Sequence, residues 1–295
     1  MALTALLLMV VYFFLYSLLG WCAEVAFAAV KSGHLVNRGF LNGPICPIYG
    51  FGMIAMLVLL DGWTDNILAV FVGGMIITTL VELIGGWLLY VVFHTRWWDY
   101  SMMRFNLGGY ICPQFSLLWG VGSVVLVMVV HPLLSAPLTH LPFLPLAILD
   151  GVLCAIFLAD VICSVIAAAG LSKHLTRIDE LRAAIRLSSD RLTEVIGSNA
   201  ITIDALLDEQ KLQLTLAAME GRENAAELRD QLLTLAARAK AVRDETAALA
   251  RHRFFGAGHL LRAFPTMRSP LHAESLAHLR QTLSRLSEFR PHKHE

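Results

Sequence analysis

Five stretches of the chain are almost unbroken runs of apolar residues, each long enough, or nearly so, to cross a hydrocarbon core that needs about 20 residues of helix. They cover residues 4 to 30, 46 to 61, 67 to 94, 108 to 131 and 142 to 170. The second is short and glycine-rich, and its opening, Gly43-Pro44-Ile45-Cys46-Pro47, suits a re-entrant segment as well as a helix. The first lacks the basic start of a signal peptide and is too long for one, so it is expected to be kept as a helix. After Gly170 the pattern changes. Leu171, Ile178, Ile185 and Leu192 recur every seven residues, and Leu207, Leu214, Leu228, Leu235 and Val242 keep the same step around Gly221. Heptads of this kind predict a coiled coil or a helical hairpin over residues 171 to 254, turned at Gly197-Ser198-Asn199. Residues 255 to 295 read as an amphipathic, flexible tail, with Leu276, Leu279, Leu283 and Leu286 on one helical face and a basic, His-rich end, Pro291-His292-Lys293-His294, too short for a metal site. The expected fold is therefore all-α: a polytopic membrane bundle of about five helices over residues 1 to 170, followed by a cytoplasmic helical tail.

Composition agrees with this pattern. Of 295 residues, 57% are apolar and only 16% charged, which excludes a disordered chain and an ordinary soluble domain. The net charge of zero hides a split. Residues 1 to 170 hold only Lys31, Arg38, Arg96 and Arg104 against seven acids, a net of −3, and the remainder carries +3. The four basic residues fall in the connections 31 to 45 and 95 to 107, whereas Asp61 to Asn66 and His131 to Leu141 contain none. Positive charge gathers on the cytoplasmic side of membrane proteins, so the N-terminus is expected outside and the tail in the cytoplasm, at the inner membrane of the cell. The five cysteines all lie in the membrane half and outside both outer connections, which implies no disulfide framework.

The membrane half also repeats itself. A shift of 66 residues superposes Gly20-Trp21 on Gly86-Trp87, Val25 on Val91, Phe27 on Phe93, Arg38 on Arg104, Leu41 on Leu107, Gly43 on Gly109 and Ile45-Cys46-Pro47 on Ile111-Cys112-Pro113. Ten of 28 aligned positions are identical. The copies, about residues 4 to 61 and 67 to 131, have the same orientation and form a parallel repeat, with the fifth helix at 142 to 170 outside it. Each copy ends a polar loop at a Pro that suits the first turn of a helix. Two helix N-termini, with Arg38 and Arg104 nearby, would favour an anionic group on the cytoplasmic side. The alternative is that the arginines pair with Glu24, Glu82 or lipid phosphate and anchor the loops.

Glu24 and Glu82, like Asp150 and Asp160, stand inside apolar runs, where a carboxylate is costly and normally faces the bundle interior. Each is a functional candidate or a paired structural acid. Glu24 matches Tyr90 in the second copy, so the acid is not itself repeated. Cys46 and Cys112 occupy equivalent places, yet no CxxC or His/Cys cluster surrounds them. Arg96-Trp97-Trp98-Asp99-Tyr100-Ser101 has the aromatic character of an interfacial belt, but Asp99 and Arg96 exceed what a belt needs. The candidate site set is Arg38, Arg104, Glu24, Glu82, Asn42, Cys46, Cys112 and Asp99.

Taken together, Asn37-Arg38-Gly39-Phe40-Leu41-Asn42-Gly43-Pro44-Ile45-Cys46-Pro47-Ile48-Tyr49-Gly50, His94-Thr95-Arg96-Trp97-Trp98-Asp99-Tyr100-Ser101, Phe105-Asn106-Leu107-Gly108-Gly109-Tyr110-Ile111-Cys112 and Ser116-Leu117-Leu118-Trp119-Gly120 resemble the pattern of the ABC-transporter type IV permease family. The resemblance covers about residues 8 to 125, and Gly20-Trp21-Cys22-Ala23-Glu24 resembles the family's first helix. It implies a small polytopic permease without an ATPase domain of its own, and Tyr90 departs from an acid that many members carry there. The charged tail lies outside the resemblance.

No Gly-x-x-x-x-Gly-Lys-Ser/Thr loop, His-Glu-x-x-His or Gly-x-Ser-x-Gly occurs in the chain. No enzyme activity, cofactor or metal is expected of it, and alternating charge in the tail argues against nucleic acid. The expected partners are membrane lipid, further copies of the chain and a separate ATPase subunit. The alternative is a membrane-anchored scaffold whose coiled coil recruits a partner.

Overall fold

A computed structural model of the protein describes residues 2–33, 35–196, 206–217, 225–251 and 256–288. Its elements are helices: α1 (Ala2–Ser32), α2 (Pro47–Leu59), α3 (Ile67–Phe93), α4 (Pro113–Val125), a π-helical turn (Leu126–Val130), α5 (His131–Leu138), α6 (Phe143–Ile196), α7 (Glu209–Ala217), α8 (Ala225–Arg251), α9 (Gly256–Ala263) and α10 (Ala273–Glu288). Among the described residues only two isolated β-bridges occur and no strand. Four stretches are long and apolar enough to cross a membrane, at 2–31, 67–93, 113–138 and within α6. The second apolar run gives the 13-residue α2, which at 1.5 Å per residue reaches about 20 Å, less than a hydrocarbon core of about 30 Å.

Local chemistry sets these boundaries. Pro47 and Pro113 stand in the first turns of α2 and α4, each preceded by an extended N-cap, Cys46 and Cys112. Proline there sacrifices no hydrogen bond. Asn66 caps α3 by accepting from the Leu68 and Ala69 amides, both at 3.1 Å, and the helix ends at His94 in the left-handed region, φ 49°. Between α4 and α5 the His131 N–H bonds to Leu126 O, five residues back. Pro132 follows and has no N–H to give to the helix ladder, and the wide turn takes up that break.

The chain divides into two compact units. The first comprises residues 1–169 together with 253–270, and the second residues 170–252 and 271–295. In the first unit Tyr12, Tyr16, Met53, Met56, Leu60, Val70, Ile77 and Val127 form one buried cluster. Outside it, Phe27, Ile84, Leu118, Ile156 and Ile162 are each more than half exposed. So much exposed apolar surface on long helices is expected of a face that meets lipid.

In the second unit, the charged part of α6 pairs antiparallel with α8: His174 meets Glu245 and Ser188 meets Arg238, one number rising as the other falls. Leu171, Leu175, Ile178 and Ile185 are buried there, as are Leu228, Leu232, Leu235, Ala239 and Val242. Asp179 ties α10 into this unit through His272 and Ser275. Helix α6 runs through Gly170 without a break, because glycine weakens a helix by only about 1 kcal/mol. The turn expected at Gly197-Ser198-Asn199, the side chains of Leu192, Leu283 and Leu286, and Pro291-His292-Lys293-His294 lie outside the described residues.

Candidate transport site

Two carboxylates on membrane helices each meet a tyrosine. The Tyr49 hydroxyl donates to Glu24 Oε1 at 2.6 Å, and the Tyr100 hydroxyl to Glu82 Oε1 at 3.0 Å. Gly20 makes the first pair possible, since a Cβ there would collide with the Tyr49 ring. Trp119 links the pairs: its ring lies edge-on to Tyr49 at 5.7 Å, and its indole neighbours Glu82. Tyr100 stacks on Phe115 at 4.8 Å. Burial, then the charge of Glu82, push the Tyr100 phenol above its ordinary pKa, so it stays a donor at neutral pH.

The charges are unequal. Arg38 faces Glu24 at 3.6 Å, an ion pair too long for a hydrogen bond. Glu82 is 8% exposed, and its Oε2 has no hydrogen-bond partner among the described residues. The Arg38 guanidinium thus faces Glu24 and not Glu82. An ionised carboxylate left in that condition inside a membrane costs several kcal/mol.

The loop before α2 is held by α6. The Asn42 amide N–H donates to Asp160 Oδ1 at 3.0 Å and the Gly43 N–H to Asp160 Oδ2 at 2.8 Å, while the Asn42 side chain reaches Asp160 and Ser164 at 3.0 and 2.9 Å. One carboxylate thus takes two backbone donors from the loop, the Asn42 N–H being shared with Ser164 Oγ at 3.3 Å. Asn37 adds a second clasp, accepting from the Trp21 indole at 2.6 Å and donating to Asn42 O at 2.9 Å.

The loop before α4 is knit by its own residues. Asp99 Oδ1 accepts from Ser101 N at 2.8 Å, Tyr100 N donates to Gly109 O at 2.8 Å, and Arg96 Nη1 donates to Gly108 O at 2.8 Å. Gly109 sits at φ 76°, and a Cβ there would strike Asp99 and Arg96, so both angle and space require glycine.

Residues 256–270 close over both loops. Gly256 N donates to Asn42 Oδ1 at 3.2 Å, and His259 Nε2 lies 3.0 Å from Gly39 O, which fixes it as the donor. Arg268 and Arg96 exchange backbone hydrogen bonds of 2.7 and 2.8 Å, and Arg268 Nε approaches Asp99 Oδ2 at 2.8 Å. Phe264 meets Trp97 edge-on at 5.0 Å, while Leu260, Ala263 and Met267 are almost fully buried. Burial pushes the His259 imidazole below its ordinary pKa, against the pull of the Gly39 carbonyl.

Of the residues the sequence singled out, Glu82 is buried and Glu24 and Arg38 are half-buried in one polar cluster, whereas Arg104 is exposed. The pairing expected of the arginines with a nearby glutamate is realised by Arg38 alone. Asn42 and Asp99 work in the loops. Cys46 and Cys112 are buried N-caps with free thiols, and among the described residues no group of His, Cys, Asp and Glu could hold a metal. Tyr49, Tyr100 and Trp119 were not singled out, because aromatics at these depths read first as core or belt. His259 and Arg268 gave no signal beyond a basic tail.

A family profile described as "Putative ABC-transporter type IV" matches residues 11–165, which takes in the second and third spanning stretches, parts of the first and fourth, and both loops of the site. Neither the curated proteins nor the solved structures provide a match. On the extent of the profile match, more than half of the chain, the protein belongs to the putative ABC-transporter type IV family.

Proposed function

We propose that the chain is the permease component of an ABC-type system in the inner membrane, with the ATPase on a separate subunit and more than one copy of the chain in the assembly. The orientation that suits this reading has the N-terminus outside and the tail in the cytoplasm. The loops of Arg38, Arg96 and Arg104 would then face the cytoplasm, and the turns without Lys or Arg the outside. Cys46 and Cys112 at matching N-caps, each followed by proline, support reading the two halves as parallel repeats.

The observation that carries the reading is Glu82, buried on a spanning helix with Tyr100 and Trp119 as its polar neighbours and no ion pair among the described residues. With Glu24 and Arg38 nearby, ionisation of Glu82 would give the site an excess of one negative charge. It suits a proton or a positively charged substrate group better than an anion, because Arg104 does not join it. Residues 256–270 pack over the loops that carry Arg38 and Asp99, where a docked ATPase would act.

The second unit has a leucine core of its own, which favours a second reading, a scaffold that recruits a partner through its helices. Purification of the full chain from its own membranes discriminates the two. A P-loop ATPase in fixed ratio, its hydrolysis stimulated in the complex, supports the permease. A partner that binds the second unit without nucleotide hydrolysis supports the scaffold and contradicts the permease.

A further inference from the structure

Helix α6 carries two acids in its apolar part, Asp150 and Asp160, and they stand in opposite conditions. Asp160 is met by the Asn42 and Gly43 amides, the Asn42 side chain and the Ser164 hydroxyl. Asp150 is only 4% exposed, yet neither of its carboxylate oxygens has a hydrogen-bond partner among the described residues. It lies about 10 Å along the helix from Phe143, inside a stretch apolar enough to cross a membrane. Leu146, Asp150, Phe157 and Ser164, four or seven residues apart, share one face of the helix. Phe157 sets that face against α1, through edge-on contacts with Phe13 and Phe14 at 5.6 and 5.7 Å.

The titratable groups of the two helices are engaged elsewhere or stand apart. On α1, Glu24 is held by Tyr49 and Arg38, Lys31 stands in the last turn, Cys22 is exposed, and Tyr12 and Tyr16 are turned to His131. Along α6 the nearest titratable side chain is Cys154, and the next acid, Asp160, is ten residues on. A carboxyl that makes no bond and is costly to bury in apolar surroundings contributes nothing to the fold, so its use lies in what it binds. The ligand of an acid is a cation. A metal ion needs several donors, and among the described residues no such group occurs. An organic cation needs a cavity around the carboxyl, which side chains enclose instead. A proton needs neither. The turn also has room to shift, since a Cβ added at Gly151 would meet nothing within 4 Å.

We propose that Asp150 is a proton-binding site of the membrane part. Its carboxyl is neutral in the buried arrangement and exchanges its proton with water at the end of α6 that begins at Phe143. The site does not depend on Glu82 or on an ATPase, so its failure and the failure of the transport reading are separate results.

The test is infrared spectroscopy of the purified full-length protein in lipid nanodiscs. A hydrogen bond weakens a carbonyl and lowers its stretching frequency, so a neutral carboxyl without a partner absorbs at the high-frequency edge of the carboxyl range, above one bonded to a tyrosine. Such a band is expected at about pH 6, and it should lose at least half its intensity by about pH 9, a span that covers the titration of buried carboxyls. It should shift down in deuterium oxide, vanish in Asp150→Asn and remain in Glu82→Gln. Thermal unfolding of both variants checks that they fold. Isotope-labelled aspartate, which moves the band without any substitution, makes the assignment independent of the variants. No such band, a band that ignores the aspartate label or survives in folded Asp150→Asn, or one that stays unshifted in deuterium oxide or undiminished at the higher pH, overturns the proposal.

Discussion

Asp160 shows how a single carboxylate organises the loop before α2. It accepts from the backbone N–H groups of Asn42 and Gly43 and from the Asn42 side chain. Asp160→Ala would leave the Gly43 amide unpaired and the Asn42 amide with only Ser164 Oγ at 3.3 Å, at about 1–3 kcal/mol for a donor that loses its partner. The expected outcome is a clearly lower unfolding temperature in detergent, with Asp160→Asn, which keeps one acceptor oxygen, falling between the two. At this scale the sequence was informative about acids and silent about their partners. Glu24, Glu82 and Asp160 stood out because a charge inside an apolar run needs a reason. Tyr49 and Tyr100 did not, since a tyrosine there is equally a core or interface residue, and only the fold brings their hydroxyls to Glu24 and Glu82. Arg38 and Arg104 stand at matching positions of the repeat, yet one is paired with Glu24 and the other exposed, and Tyr90, at the place that matches Glu24, lies under Arg96 instead.

Elements were legible where periodicity or proline set them. Pro47 and Pro113 start α2 and α4 as the sequence implies. The π-helical turn was not legible, since nothing in Leu126–Val130 distinguishes it from ordinary helix, and it follows from Pro132 only once the ladder is built. Helix α9 was also missed: eight residues with Leu260 and Leu261 adjacent carry too little period to predict a buried face, which the loops around Gly39 and Asn42 supply. His259 makes this contact sensitive to pH. Asp160 and Arg262 are the charged groups that act on it, and burial outweighs them, so its folded pKa lies below the ordinary 6.5. The unfolded segment therefore binds the proton more tightly. Stability from this contact is complete above about pH 6.5 and is lost as pH falls from there toward the lower folded pKa. Hydrogen exchange of residues 256–263, corrected for intrinsic rates, should show protection falling between pH 7.5 and 5.5. Protection that holds across that range, or that falls equally in His259→Gln, contradicts a neutral buried imidazole as the cause.

At the scale of the whole molecule, the boundary between membrane part and tail is not a single cut. The composition changes at Gly170, yet residues 253–270 belong to the same compact unit as residues 1–169. A truncation after residue 171 thus removes the helices of the second unit and also strips Gly39, Asn42 and Asp99 of their partners. Point changes in the site are the cleaner probe of function. The central claim is that Glu82, a buried carboxylate on a spanning helix with no ion pair among the described residues, serves transport rather than packing. The most direct measurement is ATP hydrolysis by the complex of the full chain with its ATPase, reconstituted in lipid, for wild type, Glu82→Gln and Glu82→Ala. The account predicts at least a tenfold loss of stimulated turnover in both variants with the complex still assembled, since neither can exchange a charge or a proton at that position. Wild-type turnover in an assembled Glu82→Gln complex would contradict it.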